Sequence, residues 1–348
     1  MPTIRDVALL AGVSTSTVSL ALGTGNRVSP ATAGRVWAAA EQLGYRPNPL
    51  AQSLKRGHAR MIGVIVGDIS NPFFGRLLKG VERRALEAGY HVVVSDTDAD
   101  AGRELAVLEK LAAQRIGGII LTPHGSGDDY AAKLHGMHTP IVTVDHRVVG
   151  RRFDYVASDG CLAAAMLTEH LLNLGHRRVA QIAGPPDLWT AAERIRGFRA
   201  TLRTGGVEPD ETLIVDGRYV DSVAYEHTMR LMTRPDRPTA ILAANNMMAL
   251  GALQAIQQLG FSCPRDVSLA AIDDVPWSAV IRPTLTMVVQ DVDRLARTAT
   301  DYLLERMEVR GTDVLAPREM ILTPRLVLGT STAHPPAEPR RERSRPDE

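Results

Sequence analysis

The segment TIRDVALLAGVSTSTVSLAL, residues 3–22, predicts two short helices joined by a tight turn. Thr3 and Asp6 have the spacing of an acidic capping box, and the apolar residues that follow recur at every third or fourth position, as in a helix. Gly12 ends this first helix, and Ser14 is a suitable N-cap for the second. These two helices, together with a third that is predicted to follow them, indicate a small helical domain within the first 45 residues.

A third helix is predicted directly after this pair. Ser29 followed by Pro30 combines an N-cap with a proline in the first turn, and Gly44 ends the helix. Residues 1–60 carry seven basic and two acidic side chains, a net charge of +5, whereas residues 61–330 carry 29 basic and 33 acidic ones. A basic helical segment on a neutral-to-acidic body indicates a polyanion-binding module on a carrier.

From residue 61 onward, short apolar runs alternate with amphipathic helical stretches. Buried strands are predicted at residues 62–66, 92–94, 118–121, 141–144, 179–182, 240–243 and 267–271. Helices are predicted between them, among others at residues 75–89, 102–114, 162–174 and 191–203. This alternation is typical of parallel sheets in an α/β fold, and about 270 residues of it are more natural for two sheets than for one.

Several classes of protein find no support in the sequence. The 348 residues are 45% hydrophobic and 23% charged, which predicts about two folded domains. No apolar run approaches the roughly 18 residues of a membrane span, and no signal peptide is recognised, so we expect a cytoplasmic protein without membrane association. Metal-ligand spacing is absent from the two cysteines, Cys161 and Cys263, and from the histidine pairs His135/His138 and His170/His176. No catalytic or cofactor motif is recognised in the sequence. We therefore expect no metal, no cofactor and no enzyme activity.

The segment 3–22 resembles the helix-turn-helix of the lactose/galactose repressor family of transcriptional regulators. The resemblance continues in the family's order through LGYRPN (43–48), IGVIVGDISNPFF (62–74), GHRRV (175–179), AANNMMALGA (243–252) and IDD (272–274). It implies a small all-α helix-turn-helix head at 1–45, a hinge helix or linker at 46–58, and an α/β core of two parallel-sheet subdomains like a periplasmic binding protein. We expect these subdomains at 59–158 plus 288–317 and at 159–287 plus 318–330, and a disordered tail at 331–348.

The resemblance assigns DNA contacts to the head and the hinge: Thr15, Ser16, Ser19, Leu20, Arg27, Ser29, Asn48, Leu54 and Lys55. A helix in the major groove reads bases with outward side chains near its N-terminus, and a hinge leucine, here Leu54, wedges into the minor groove. The family very often has arginine where Leu20 stands and often asparagine where Gly23 stands, so its known operators do not transfer. The alternative for residues 48–57 is a plain flexible linker.

The resemblance also assigns ligand contacts in the core: Phe73, Phe74, Thr122, Asp145, Leu188, Thr190, Arg194, Tyr219, Asn245 and Asp273. Arg194 offers a forked donor and Asp273 an acceptor, a pairing that suits vicinal hydroxyls. Ala192 and Asn246 replace a frequent arginine and a frequent aspartate of the family, which leaves the ligand's identity open. The structural alternatives are that Asp273 caps a helix and that the two phenylalanines belong to the core or to a dimer interface.

These features predict a transcriptional regulator, a repressor, that binds palindromic operator DNA as a homodimer. A small polar effector of carbohydrate type is expected to control it from the cleft between the subdomains. Residues 331–348 contain no leucine, so they lack the C-terminal leucine heptad through which some relatives form tetramers. The alternative is a sugar-binding receptor without DNA function, cytoplasmic or exported, which leaves residues 1–58 unexplained.

Overall fold

The computed structural model describes residues 2–22, 28–45, 60–148, 153–275, 278, 280, 282–308 and 316–336. The chain divides into two compact units, Met1–Arg60 and Met61–Glu348, and each is described by itself. In the part that is described, no single helix is long and apolar enough to cross a membrane. Only the first two helices taken together reach that length and composition, and they are bent by 96° at their break.

The first unit contains three helices, α1 (Ile4–Ala11), α2 (Thr15–Ala21) and α3 (Pro30–Gln42). Asp6 accepts hydrogen bonds from the backbone nitrogen of Thr3, at 2.7 Å, and from its hydroxyl, at 2.9 Å, as the capping box predicts. Gly12 follows α1 in the left-handed conformation. Ser14 and Ser29 cap α2 and α3 by accepting from the third backbone amide that follows each of them.

A small apolar core holds these three helices together. Its centre is Val7, Val18 and Val36, one residue from each helix, all fully buried. The surrounding buried positions are mostly alanines, which let the short helices approach closely. Because so few large side chains are buried, the stability of this unit depends heavily on its three central valines and its caps.

The second unit contains two six-stranded sheets flanked by helices. In chain order its elements are β1 (Met61–Val66), α4 (Pro72–Glu87), β2 (His91–Asp96), α5 (Ala101–Ala113), β3 (Gly118–Leu121), α6 (Gly127–His135), β4 (Ile141–Val144), β5 (Asp154–Ser158), α7 (Gly160–Asn173), β6 (Val179–Ala183), α8 (Trp189–Thr204), β7 (Ile214–Asp216), α9 (Asp221–Met232), β8 (Ala240–Ala243), α10 (Asn246–Gln258), β9 (Ser268–Ile272), β10 (Thr286–Val289), α11 (Val292–Glu308), β11 (Glu319–Leu322) and β12 (Arg325–Val327). A single 3₁₀ turn, Glu211–Leu213, precedes β7. All seven strands predicted from the apolar runs are present.

The first sheet has the strand order β11-β5-β4-β3-β1-β2, and all its pairs are parallel. Successive residues of β1 bury opposite faces of this sheet. Val64 joins the cluster formed with α4 and α11, and Ile65 joins the cluster formed with α5 and α6. Such double burial is why the strand reads as a continuous apolar run.

The second sheet has the order β12-β10-β9-β8-β6-β7 and is parallel except for the β10–β12 pair. Here Ile241 packs with α9 and α10, and Leu242 packs with α7 and α8 on the other face. Each sheet is therefore a separate three-layer α/β subdomain, as the sequence predicts.

The chain passes three times between the two subdomains, and two of the predicted boundaries are wrong. β10 extends the second sheet to Val289, so the second crossover follows this residue rather than residue 287. Glu319–Leu322 pairs with β5 of the first sheet, which puts the third crossover between Leu322 and Arg325 instead of after residue 317. In each case the chain crosses only after completing a strand at or near the edge of the sheet it leaves.

The disordered tail predicted for residues 331–348 starts too early, because its first residues pack on the second subdomain. Ser331 is fully buried, and its hydroxyl donates to the carbonyl of Leu269 at 2.5 Å. The backbone nitrogen of Ala333 donates to Ser268 at 3.0 Å, and its carbonyl accepts from His176 at 2.9 Å. Residues 331–334 are therefore a strap on the second subdomain, and residues 337–348 lie outside the described part of the chain.

Candidate functional site

A cleft of about 370 Å³ lies between the two subdomains, beyond the carboxyl ends of their parallel strands. This is where open parallel sheets bind ligands, because the loops after the strands converge there. Eight of the ten predicted ligand residues line the cleft: Phe73, Phe74, Asp145, Leu188, Arg194, Tyr219, Asn245 and Asp273. Asp98, two residues after the end of β2, also lines the cleft.

Two of the predicted ligand residues do not line the cleft. Thr122 is fully buried, and its hydroxyl donates to the carbonyl of Ile65 at 3.2 Å. The Thr190 hydroxyl is hydrogen-bonded to Nδ1 of His146 at 2.7 Å. Both hydroxyls therefore hold neighbouring elements, and the prediction that they contact the ligand directly is not supported by their positions.

Arg194 is a buried cation whose hydrogen-bonding capacity is only partly used. It is 5% exposed, and its Nη1 donates to the carbonyl of Ala244 at 2.7 Å. Its Nε is buried and has no hydrogen-bond partner among the described residues. Burial by itself lowers the pKa of Arg194, but Tyr219, Asp273 and Asp145 raise it above its ordinary value. The guanidinium thus stays charged in the wall of the cleft, and part of its hydrogen-bonding capacity is unused.

Asp273 follows β9 and is fixed by one strong hydrogen bond. Nε2 of Gln290 donates to its Oδ1 at 2.6 Å, and Gln290 is the first residue of the second crossover. Burial raises the pKa of Asp273 to about 6, although Arg194 and Gln290 partly oppose this. Its carboxylate caps none of the described helices, which removes the structural alternative and leaves Oδ2 free as an acceptor.

Strained backbone is concentrated around this cleft. Seven described residues other than glycine have a positive φ, and six of them line it: Asp98, Ala99, Asp145, Arg218, Tyr219 and Asp273. Each such residue costs about 1–3 kcal/mol and persists only where the surrounding structure holds it. Such a concentration of strained backbone is typical of a binding site.

Asn245 and the two phenylalanines serve the fold as well as the cleft. Asn245 caps α10 by accepting from Met248 at 2.8 Å, and its amide donates to the Tyr219 carbonyl at 3.3 Å. Phe73 and Phe74 pack edge to face, with ring centres 5.2 Å apart, and belong to the core of the first subdomain. The two phenylalanines are therefore core residues, as the structural alternative predicted, and they also form part of the cleft wall.

Two histidines that line the cleft were not predicted from the sequence. His124 and His146 follow β3 and β4, and their rings meet edge to face at 5.1 Å. Burial lowers the pKa of His146 well below its ordinary value, and His124 and Arg194 lower it further, so this ring is neutral near pH 7. Their place just after buried strands was the available signal, since single histidines carry no motif. Four other polar residues of the lining were also missed: Asp68, Asn71, Asp98 as a ligand contact, and Arg218.

In the helical unit, the predicted base-reading side chains share one exposed face of α2. Thr15, Ser16 and Leu20 are exposed and Ser19 is half-buried, while Val18 on the opposite side is fully buried. Ser29 is exposed beside the start of α3, where its hydroxyl donates to Thr32 at 2.9 Å. The predicted contacts Arg27, Asn48, Leu54 and Lys55, the variant position Gly23 and the whole hinge lie outside the described residues.

Comparison with known proteins distinguishes the two predicted functions, a DNA-binding transcriptional regulator and a sugar-binding receptor without DNA function. Residues 3–48 match the family model of bacterial regulatory proteins, lacI family, and residues 168–332 match a periplasmic binding protein-like domain. The ribose operon repressor of Escherichia coli K12 is 33% identical over 94% of this chain and 98% of its own length. The chain belongs to the lacI family of bacterial regulatory proteins. The HTH-type transcriptional repressor PurR of Aliivibrio salmonicida, a second relative, is 33% identical over 88% of this chain and 93% of its own.

Solved structures of this family share the whole architecture. The lac repressor dimer bound to operator and the anti-inducer ONPF superposes with a TM-score of 0.83 at 28% identity, covering 95% of this chain and 99% of that one. A complex of the transcriptional regulator CelR with cellobiose gives a TM-score of 0.72 at 28% identity, with 95% and 100% coverage. The two units are therefore the DNA-binding head and the ligand-binding core of a lacI-family regulator.

Proposed function

We propose that this protein is a transcriptional repressor that binds a palindromic operator as a homodimer and responds to a sugar-like ligand. The observation that carries the proposal is the unfinished site in the cleft. Arg194, a buried cation, and Asp273, a buried carboxylate with a free oxygen among the described residues, line the same cleft in a chain that also has a helix-turn-helix. Relatives that share nearly the full length are repressors, and neighbouring structures hold cellobiose or ribose.

On the DNA side, the exposed face of α2 supplies the base contacts. Thr15 and Ser16 bear hydroxyls that bond to bases or phosphates, whereas Leu20 offers only an apolar contact such as one to a thymine methyl. One head makes few such contacts, so two heads bind symmetry-related half-sites as a dimer. Leu54 of each hinge wedges into the minor groove at the centre of the operator.

On the ligand side, the protein acts by binding and not by catalysis, in the cytoplasm where its operator lies. Polar groups of both subdomains face the cleft, so a ligand that bonds to both favours one relative placement of the subdomains. The coupling between this placement and the paired heads sets the affinity for DNA.

The test combines DNA selection with a ligand screen. Operator sequences are selected from random DNA with the full-length protein, and affinity is measured by fluorescence anisotropy with and without sugars. We expect a palindromic operator, a dimer by light scattering, and an affinity that a sugar changes at least severalfold. A protein that binds sugar but selects no DNA sequence is a receptor, and this result would refute the proposal.

A further inference from the structure

Two consecutive residues of each subdomain meet beside the cleft. His146 and Arg147 follow β4 of the first subdomain, and Trp189 and Thr190 begin α8 of the second. The hydroxyl of Thr190 is hydrogen-bonded to Nδ1 of His146 at 2.7 Å. The guanidinium carbon of Arg147 lies over the Trp189 ring, 5.3 Å from its centre. These four residues form a seam that joins the two subdomains directly, in addition to the crossovers.

Arg147 is held in position by its own subdomain. Its Nη1 and Nη2 donate to the two carboxylate oxygens of Glu319, the first residue of β11, at 3.3 and 3.1 Å. The same guanidinium lies 5.7 Å from the ring centre of Tyr155 in β5. Tyr155 is 4% exposed, and its hydroxyl donates to the carbonyl of Asp145 at 3.0 Å. Because a bidentate carboxylate fixes the planar guanidinium, little freedom is lost when it meets a second ring.

Trp189 receives this preorganised cation at the edge of the second subdomain. Its ring is half-buried, and its distance from the guanidinium carbon is within the range of about 6 Å over which a cation is attracted to an aromatic face. Indole attracts cations more strongly than the ring of tyrosine or phenylalanine does. Since the contact joins the two subdomains, it exists only while they keep the relative placement of this structure. Its free energy therefore favours that placement.

The seam adjoins the cleft, but Arg147 and Trp189 do not belong to the cleft lining. Asp145 and Leu188, the residues just before the seam on each side, line the cleft, as does His146. Neither the Arg147 nor the Trp189 side chain is among the groups that face the cleft. A substitution at either residue therefore changes the contact between the subdomains and leaves the lining in place.

We propose that Arg147 and Trp189 are positioning residues whose cation–π contact is a latch. The latch holds the two subdomains together when no ligand is bound, and it thereby sets the operator affinity of the unliganded protein. Its existence depends only on contacts within the core, whereas its effect on DNA rests on the proposed repressor function. Breaking it should raise the ratio of unlatched to latched molecules by about two- to thirtyfold, which is the range for cation–π contacts of differing exposure.

The first experiment measures the distance between the subdomains by double electron–electron resonance without ligand. Spin labels are attached to cysteines introduced at Asp129, near the start of α6, and at Ser222, near the start of α9. Both positions are exposed, and both helices follow parallel strands, so they begin on opposite sides of the cleft. The full-length protein carries serine in place of Cys161 and Cys263, so that only the introduced cysteines are labelled.

Arg147→Met and Trp189→Leu should each shift the distance distribution toward longer distances. The double variant should shift it no further than the stronger single variant, because both substitutions remove the same contact. Trp189→Phe keeps an aromatic ring and should lie between the wild type and Trp189→Leu. Arg199→Met is the matched control and should leave the distances unchanged, since Arg199 is about as exposed as Arg147 but pairs with Glu211 inside the second subdomain.

Circular dichroism and melting temperature establish that each of these variants is folded. Folded Arg147→Met and Trp189→Leu variants that keep the wild-type distance distribution would refute the latch. Additive shifts in the double variant would also refute it, because they would show that the two side chains act separately.

The second experiment measures operator binding by the unliganded variants, using fluorescence anisotropy and the operator selected with the wild type. Arg147→Met and Trp189→Leu should change the affinity in the same direction and by a similar factor, and Arg199→Met should match the wild type. Shifted distances with a wild-type operator affinity would overturn the link between the latch and DNA. If the wild type itself selects no operator, the proposed repressor function has failed, and the distance measurements still decide whether the latch exists.

Discussion

Replacing Asp273 by asparagine should weaken ligand binding and at the same time stabilise the unliganded core. The carboxylate is buried and its Oδ1 accepts from Gln290 at 2.6 Å, a hydrogen bond that the asparagine oxygen can keep. The other terminal atom then becomes an NH₂ group, which donates where the carboxylate accepted. A lost hydrogen bond to a charged group costs about 1.5–3 kcal/mol, which corresponds to roughly a 10- to 150-fold increase in Kd.

The stability change follows from the pKa of Asp273. Burial raises it from 3.8 to about 6 in the folded protein, so the folded state disfavours the ionised carboxyl by about 3 kcal/mol at neutral pH. A carboxyl with a raised folded-state pKa lowers stability as the pH rises from about 4 to about 6, and the loss stays constant above that. Asparagine does not ionise, so the variant should exceed the wild type by up to about 3 kcal/mol at pH 7 and match it near pH 4.

Calorimetric titration with a sugar that the wild type binds gives the affinity, and chemical denaturation at pH 4 and pH 7 gives the free energy of unfolding. Asp128→Asn removes the same charge from the exposed start of α6 and serves as the control, with changes below about 1 kcal/mol in either measurement. A variant that binds the sugar as tightly as the wild type, or that is less stable at pH 7, would show that Asp273 is not a buried ionised acceptor for the ligand.

Three other predictions concern DNA and the fold. Leu54→Ala should weaken specific operator binding by an order of magnitude or more, because it removes the leucine that wedges into the minor groove. Nonspecific DNA binding and its salt dependence should stay nearly unchanged, because no phosphate contact is lost. Fluorescence anisotropy at several salt concentrations measures both affinities. Leu20→Arg should shift the selected operator toward guanine at one position in each half-site, since arginine binds guanine bidentately. If selection from random DNA returns the wild-type operator for this variant, the prediction is wrong. Asp154→Asn should destabilise the core by about 3–5 kcal/mol in urea, because the buried carboxylate bonds to Arg306 and Arg318. Burial by itself raises the pKa of Asp154 but these arginines lower it, so this contribution is present at neutral pH and should disappear in acid as the carboxyl is protonated.

The fold was largely predictable because its central strands are buried on both faces. Val64 and Ile65 are neighbours in β1, yet each belongs to a different apolar cluster, and the sequence shows this as an uninterrupted apolar run. The helix caps Thr3, Ser14 and Ser29 were predictable because a cap depends on residues within one turn.

The edges of the sheets were not predictable on the same grounds. β5 and β11 are short and contain polar residues, and Asp154 in β5 is buried only because Arg306 and Arg318 arrive from distant parts of the chain. The strap at Ser331 is also held by partners far away in sequence. Such pairings have no local signal, so two of the three crossovers and the start of the tail were misplaced.

Arg194 and Asp273 were assigned to the cleft by the resemblance to the lactose/galactose repressor family, and their residue types suit the chemistry of a polar ligand. His124 and Thr190 show the limit of this reasoning. The placement of the His124 ring depends on the carbonyl of Thr122 and on the space left by Gly67, and the Thr190 hydroxyl is hydrogen-bonded to a histidine from the other subdomain. Neither arrangement can be derived from spacing, because each is set by tertiary contacts.

The contacts between the subdomains explain why a small ligand can control a large dimer. His146 of the first subdomain bonds to Thr190 of the second at 2.7 Å, and Arg147 lies over the Trp189 ring at 5.3 Å, so the subdomains already touch beside the cleft. Asp273 is tied to Gln290, the residue at which the chain leaves the second subdomain. A ligand that engages Asp145 and Asp273 therefore bonds to both subdomains and to the residue that holds the start of a crossover. It shifts their relative placement only by the difference in its affinity for the two arrangements, and a tenfold difference supplies about 1.4 kcal/mol. Since the dimer has two such clefts, about twice this free energy is available to change the affinity for the operator.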